Sequence, residues 1–276
     1  MPYGRYGKTF KKIRTQKHLS LSYFTDLGIS KAALDRFELG RTMMSFERVD
    51  AALQEMNVSL GEYEYFINDY ALDYQEEILL EITNADIASD SHTLSKIYEE
   101  AFSAGYIYLA YAAKSRYMSL TIEEAEKVTD FLYGVEQWGY FELSIFYFAL
   151  DNLSEREIMH LMQGFWTKNR ALYNIFKYRR RILQSAYRAA TLLSAKGYKQ
   201  SAFKILQKSH PRDQVYDLYI QNVRKMALGF YDYCFENREQ GQAQIQGAIQ
   251  LFAEMDHQDL ELYYQKRFER FKKEVQ

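Results

Sequence analysis

Cysteine is almost missing from this chain. The single Cys234 excludes an intrachain disulfide and a cysteine-built zinc cage. It reads as a small buried apolar residue in a reducing compartment. Two prolines and 13 glycines in 276 residues are too few turn formers for a sandwich or barrel that reverses direction about every ten residues. No run of about 18 uncharged apolar residues occurs, and residues 1–17 hold no apolar signal-peptide core. No membrane partner is therefore expected, and the chain is expected in the cytoplasm. Catalytic signatures are also lacking: there is no Gly-rich phosphate loop, no GxSxG elbow and no HExxH. The histidines, His18, His92, His160, His210 and His257, are scattered. Glu157 and His160 form one Glu-x-x-His, but a di-iron bundle needs two plus further carboxylates, so they read as a surface pair. No enzyme activity, cofactor or metal is expected.

What is present is an ordinary globular balance, 47% hydrophobic and 26% charged. That excludes a disordered or fibrous chain, and the length suits about two domains of roughly 100–200 residues. The net charge of −2 hides a strong asymmetry. Residues 1–48 hold ten lysines and arginines against four acids, a net +6, whereas residues 67–110 hold one lysine against nine acids, a net −8. This pattern fits a polyanion-binding head on a body that does not bind polyanions.

Within the head, Phe10, Ile13 and Arg14 lie at helical spacing over residues 8–17. A short helix over 20–26 carries Leu21 and Phe24. Gly28 supplies the positive φ of a tight corner, Ser30 caps the next helix, and Gly40 stops it after Leu39. Leu34 and Phe37 face inward, leaving Lys31, Ala32, Asp35 and Arg36 outside, a set able to meet DNA. Phe46, Val49, Leu53 and Met56 mark a helix over 45–56, and Ser59-Leu60-Gly61-Glu62 opens another with a capping box. The planar fork of Arg36 suits guanine, and Ala32 suits a thymine methyl; Lys31 can serve a base or a phosphate.

Gly28-Ile29-Ser30-Lys31 followed by Leu34-Asp35-Arg36-Phe37-Glu38-Leu39-Gly40 resembles the helix-turn-helix of phage repressors. That resemblance implies a buried ion pair between Arg14 and Glu38. It also implies base-edge and phosphate contacts from Ser30, Lys31, Ala32 and Arg36, with Arg41 and Arg48 near the DNA backbone. Lys11 and Lys12 join the candidate phosphate contacts.

After Phe66 the chain reads as serial helices, at about 69–84, 92–117, 121–133, 140–151, 154–175, 177–196, 199–207, 212–236, 239–255 and 258–274. Thr121–Glu124 and Ser154–Glu157 are two further capping boxes. Short connections make neighbours antiparallel. Ala189, Ala190, Gly197 and Ala202 put small residues where two helices approach closely, as in tetratricopeptide-like hairpins, although the strict 34-residue consensus is missing. The expected architecture is all-α: a five-helix phage-repressor-like head over residues 1–66, then a TPR-like right-handed helical repeat over residues 67–276 with a concave face.

That face is the candidate peptide groove. The 25 tyrosines and 18 phenylalanines include Phe141, Phe146, Tyr147 and Phe148 on one helix and Tyr216, Tyr219, Phe230, Tyr231, Tyr233 and Phe235 on another. Polar residues set among apolar ones add specificity: Asn152 and Asn222 for a peptide backbone, Arg188 for a carboxylate. Phe148, Tyr187, Tyr219 and Met226 complete the candidate peptide-binding set.

Over nearly its full length the chain resembles the Rgg/GadR/MutR family of transcriptional regulators of streptococci and their relatives. The specific motifs lie between Lys8 and Phe66; the rest matches in length, helicity and aromatic texture. The resemblance implies a homodimer on double-stranded promoter DNA. It further implies a body that dimerises and binds a short, re-imported hydrophobic signalling peptide, as in quorum sensing. The peptide would act on DNA affinity or on contact with RNA polymerase. The competing reading keeps the helix-turn-helix and makes the body an oligomerisation or protein-interaction scaffold. Leu260, Leu262, Tyr263, Tyr264 and Phe268 face several ways on the last helix, so it can serve a dimer or pack on its own chain.

Overall fold

The computed structural model describes residues 4–168, 170–209 and 217–275, without the side chains of Lys168 and Arg170. His210, Tyr216 and the expected helix start at Arg212 lie outside the described residues. The chain divides into two compact units, 1–74 and 75–276. Every described regular element is helical.

The first unit holds α1 (Gly4–Gln16), α2 (Lys31–Glu38), α3 (Phe46–Glu55) and α4 (Leu60–Ile67). Between α1 and α2 the expected second helix is a turn followed by one 3-10 turn, Thr25–Leu27. Its hydroxyls explain the difference. Ser20 and Ser22 pair at 2.9 Å and Thr25 Oγ1 donates to the Ser22 carbonyl at 2.6 Å, so side chains take over from helical backbone bonds. The core is built on Phe10, whose ring meets Phe24 and Phe37 edge-on at 5.9 and 5.6 Å. Leu34, Leu53 and Met56 close around it. Phe46 is not part of this core: it opens α3 and is 71% exposed. Tyr63 Oη donates to the Tyr6 carbonyl at 2.7 Å, holding α4 against α1. At Gly7 a Cβ would overlap the Phe37 carbonyl, so α1 and α2 meet as closely as they do only because the side chain is a hydrogen.

The second unit comprises α5 (Tyr74–Ala88), α6 (Ser91–Ser103), α7 (Ile107–Tyr117), α8 (Ile122–Gly134), α9 (Tyr140–Ala149), α10 (Glu155–Lys168), α11 (Phe176–Ala195), α12 (Lys199–Lys208), α13 (Leu218–Phe235), α14 (Arg238–Glu254) and α15 (Gln258–Glu274). α5 starts later than its apolar pattern does, because Asp69 and Tyr70 both take positive φ. The single helix expected over 92–117 is a hairpin, α6 and α7, folded at Gly105 with φ +83. The three sequence-read capping boxes, at Ser59, Thr121 and Ser154, all form reciprocal bonds with Glu62, Glu124 and Glu157. Glu157 is thus a cap residue, and His160 stacks edge-on against Tyr133 at 5.0 Å.

Ala189, Ala190 and Ala202 are fully buried. In this unit the closest glycine-mediated helix approach lies elsewhere, where a Cβ on Gly241 would overlap Tyr233 N and the Gly229 carbonyl, closing α13 onto α14. The last helix packs back on its own chain: Tyr263, Phe268 and Phe271 are buried, while Leu262 stays exposed. No described helix is long and apolar enough to cross a membrane.

Candidate functional site

Two surfaces carry chemistry, one in each unit. In the first, Ser30 Oγ accepts from Ala33 N at 3.2 Å and starts α2. Leu34, Phe37 and Glu38 point inward, and Lys31, Ala32, Asp35 and Arg36 are exposed. Arg14 Nε donates to Glu38 Oε1 at 2.6 Å and Nη2 donates to Oε2 at 2.8 Å, both side chains being buried. The remaining Arg14 nitrogen reaches the Leu19 carbonyl. Hydrogen bonding to Glu38 raises the Arg14 guanidinium above its ordinary value against the opposing effect of burial. The fork locks the last turn of α2 onto α1. It also removes Glu38 from the surface, leaving Lys31 and Arg36 with a single acid, Asp35, on the outer face of α2. Arg41, Arg48, Lys11 and Lys12 are exposed as well.

In the second unit, α9, α11, α13, α14 and α15 line an open cavity whose empty space, solvent at its mouth included, is about 620 Å³. Its walls are mainly apolar: Val223, Met226, Ala227, Phe230, Ile245, Ile249, Phe268 and Phe271. Tyr187, Arg188, Tyr219 and Met226 from the sequence-read set all line it. Tyr187 turns its ring to the cavity and donates its hydroxyl to the Ser209 carbonyl at 2.8 Å; Tyr219 pairs with Tyr264 at 2.8 Å.

The other three members of that set lie outside the lining. Phe148 is fully buried outside the lining and its carbonyl accepts from Ser115, while its neighbour Tyr147 lines the cavity instead. Asn152 Oδ1 accepts from Leu120 N at 2.8 Å. Asn222 Nδ2 donates to the Ala248 carbonyl at 2.7 Å, tying α13 to α14. Each of these bonds ties its amide to the fold, while Asn222 Oδ1 is buried with no hydrogen-bond partner among the described residues.

Below the cavity lies a charge cluster. Arg116 bridges Asp86 at 3.0 Å and Asp151 at 3.1 Å; Arg188 meets Asp151 at 2.8 Å, and Arg270 reaches it from the rim at 3.5 Å. Tyr263 Oη donates to Asp86 at 2.9 Å and accepts from Arg267 at 2.9 Å. Burial would push the Asp151 carboxyl up, but Arg188, then Arg116, hold it far below the usual carboxylate range. Asp86 is lowered in the same way, against burial and chiefly by Arg116. Arg188 moves the other way: burial, then repulsion from Arg116 and Arg267, outweigh Asp151 and lower its guanidinium. One signal of this cluster is present in the sequence: Asp86 and Arg116 sit among apolar and small residues on α5 and α7, where a solvated face would not put them.

A sequence profile described as the C-terminal domain of the HTH-type transcriptional regulator Rgg matches residues 64–266. The chain belongs to the Rgg family. Solved structures agree in fold. The SHP pheromone receptor Rgg2 of Streptococcus dysgalactiae is 21% identical, covering 98% of this chain and 100% of its own, with TM-score 0.76. A protein of Listeria monocytogenes EGD-e, solved as a candidate transcriptional regulator, is 17% identical over 99% and 100%, with TM-score 0.79. A bacterial peptide pheromone/receptor complex is 12% identical over 98% of both chains, with TM-score 0.68. For this Rgg-family chain, the cavity and cluster also hold residues outside the sequence-read peptide-binding set: Tyr147, Tyr263, Arg267, Asp86, Arg116 and Asp151. Their convergence becomes visible only when α5, α7, α9, α11 and α15 are brought together.

Proposed function

We propose that this chain is a cytoplasmic, homodimeric regulator that reads promoter DNA with α2 and takes its instruction from a short hydrophobic peptide bound in the cavity of its second unit. The observation that carries the reading is that cavity: mainly apolar walls with a few fixed polar groups, in a fold shared with a pheromone receptor. The DNA half is supported by the outer face of α2, where Lys31 and Arg36 stand over a locked helix. In a two-fold dimer, recognition helices roughly 34 Å apart enter successive major grooves. Peptide binding then favours one placement of the two heads, a coupling between sites that changes DNA affinity or the contact made with RNA polymerase. Residues 1–66 are assigned the DNA role and residues 67–276 the peptide and dimer roles.

The test uses the full chain. Thermal unfolding is followed with and without a pool of synthetic hydrophobic octapeptides, and duplexes are selected from a randomised library. A binder at a hundred times its dissociation constant stabilises by about 2.7 kcal/mol. A shift together with an enriched two-fold duplex sequence supports the proposal. Selection of a sequence with no shift favours a pure oligomerisation body, and no selection removes the DNA role.

A further inference from the structure

The cavity is apolar over most of its wall, yet two guanidinium groups open onto it: Arg188 from α11 and Arg267 from α15. Arg188 is buried, with only 7% of its surface exposed. Its Nη2 is held by Asp151, while Nη1 and Nε find no hydrogen-bond partner among the described residues. Arg267 donates through Nη1 to Tyr263, and its buried Nη2 is likewise without a partner among the described residues. Buried guanidinium donors left unmade are costly, and native proteins rarely leave them so.

The charges point the same way. Arg116, Arg188 and Arg267 are three cations facing two carboxylates, Asp86 and Asp151, which leaves one positive charge in excess before Arg270 at the rim is added. Asp151 is already divided among Arg116, Arg188 and Arg270. Neither carboxylate reaches the cavity wall, and no acidic side chain of the described residues lines it. Tyr147 reports the resulting field. Arg181 and Arg188 lie over its ring at 4.8 and 4.9 Å, and although burial pushes its phenol up, Arg188 and then Arg267 pull it below the ordinary value.

We propose that Arg188 and Arg267 together receive a carboxylate of the bound ligand, so that the site selects an apolar peptide bearing one negative charge at a fixed position. The inference rests on the peptide reading above and deepens it. Guanidinium forks match a carboxylate in plane, and a desolvated pair of them binds it through charge-assisted bonds. The carboxylate comes from the peptide's C-terminus or from an aspartate or glutamate side chain. Either source balances the cluster and links α11 to α15 through the ligand, a tie that an uncharged ligand would not make.

The experiment offers the full chain three pools of N-acetylated octapeptides randomised over Ile, Leu, Val and Phe. The first has a free C-terminal carboxylate, the second is amidated, and the third is amidated with one aspartate at a varied position. Retained peptides are counted by mass spectrometry. Retention of the first or third pool at least tenfold above the second supports the proposal and identifies the source of the carboxylate. Equal retention of the neutral amides overturns it while leaving peptide binding intact; retention of none overturns both. Arg267→Gln removes one fork from a half-buried position, and circular dichroism verifies its helicity. It should bring the charged-to-neutral ratio close to one. A ratio still near tenfold in Arg267→Gln and in Arg188→Lys would refute the assignment to these two residues.

Discussion

Replacing Glu38 with alanine should unlock the first unit alone. Glu38 accepts two bonds from Arg14, at 2.6 and 2.8 Å, and the side chains are 8% and 2% exposed. Removing one partner of a buried pair typically costs about 3–5 kcal/mol, because the other charge stays behind uncompensated. The lower figure applies here, since Arg14 retains the Leu19 carbonyl as a partner. A small helical unit has little stability to lose, and about 3 kcal/mol is roughly a hundredfold in the population of its open state. Hydrogen exchange on the full chain reads this directly: amides in α1 and α2 should exchange about a hundred times faster, with α11 and α13 unchanged. Both tryptophans, Trp138 and Trp166, lie in the second unit, so the fluorescence melt should not move. The double variant Arg14→Leu/Glu38→Leu should recover most of the loss, since it leaves no buried charge. An exchange increase below fivefold in Glu38→Ala, or a double variant as open as the single one, would refute the reasoning.

Three further outcomes are expected. Gly7→Ala gains about 1 kcal/mol of helix propensity but drives a methyl into the Phe37 carbonyl, so it should destabilise the first unit on balance by about 1–3 kcal/mol, measured by the same exchange protection. Arg36→Ala should weaken specific duplex binding by about 1–3 kcal/mol and relax preference at one base step, whereas Lys11→Ala or Lys12→Ala should lower the salt slope by about one without changing the preferred sequence; unchanged preference in Arg36→Ala would remove it as a base reader. Asp151 and Asp86 are held below an unfolded value of about 3.9, so their stabilisation is complete above that value and is lost as pH falls from about 5 through their folded values. The fluorescence melting temperature should follow that slope, and Asp151→Asn should lower it at pH 7 by the equivalent of about 3 kcal/mol while flattening the acid limb; an equally steep limb in the variant would contradict this.

Local rules in the sequence determined the all-helical class, the caps at Ser30, Ser59, Thr121 and Ser154, and the outward set on α2. Each depends on hydrogen bonds or side-chain spacing within a few residues, which sequence carries without knowledge of the fold. The hairpin at Gly105 was also within reach, but an isolated glycine in a helical pattern is ambiguous until its φ is known. Tertiary structure alone decided which faces meet. Phe148 and Tyr147 are adjacent and equally aromatic, and a turn of 100° per residue sends one into the core and the other to the cavity. Asn152 and Asn222 look alike in sequence to residues that line the cavity, yet packing places them outside it, with bonds to Leu120 and Ala248. Asp86 looked like one more acid in a solvated run, yet Arg116 and Tyr263, the latter 177 residues away, enclose it. Burial and charge pairing between distant segments depend on packing, and local periodicity does not encode a partner on another helix.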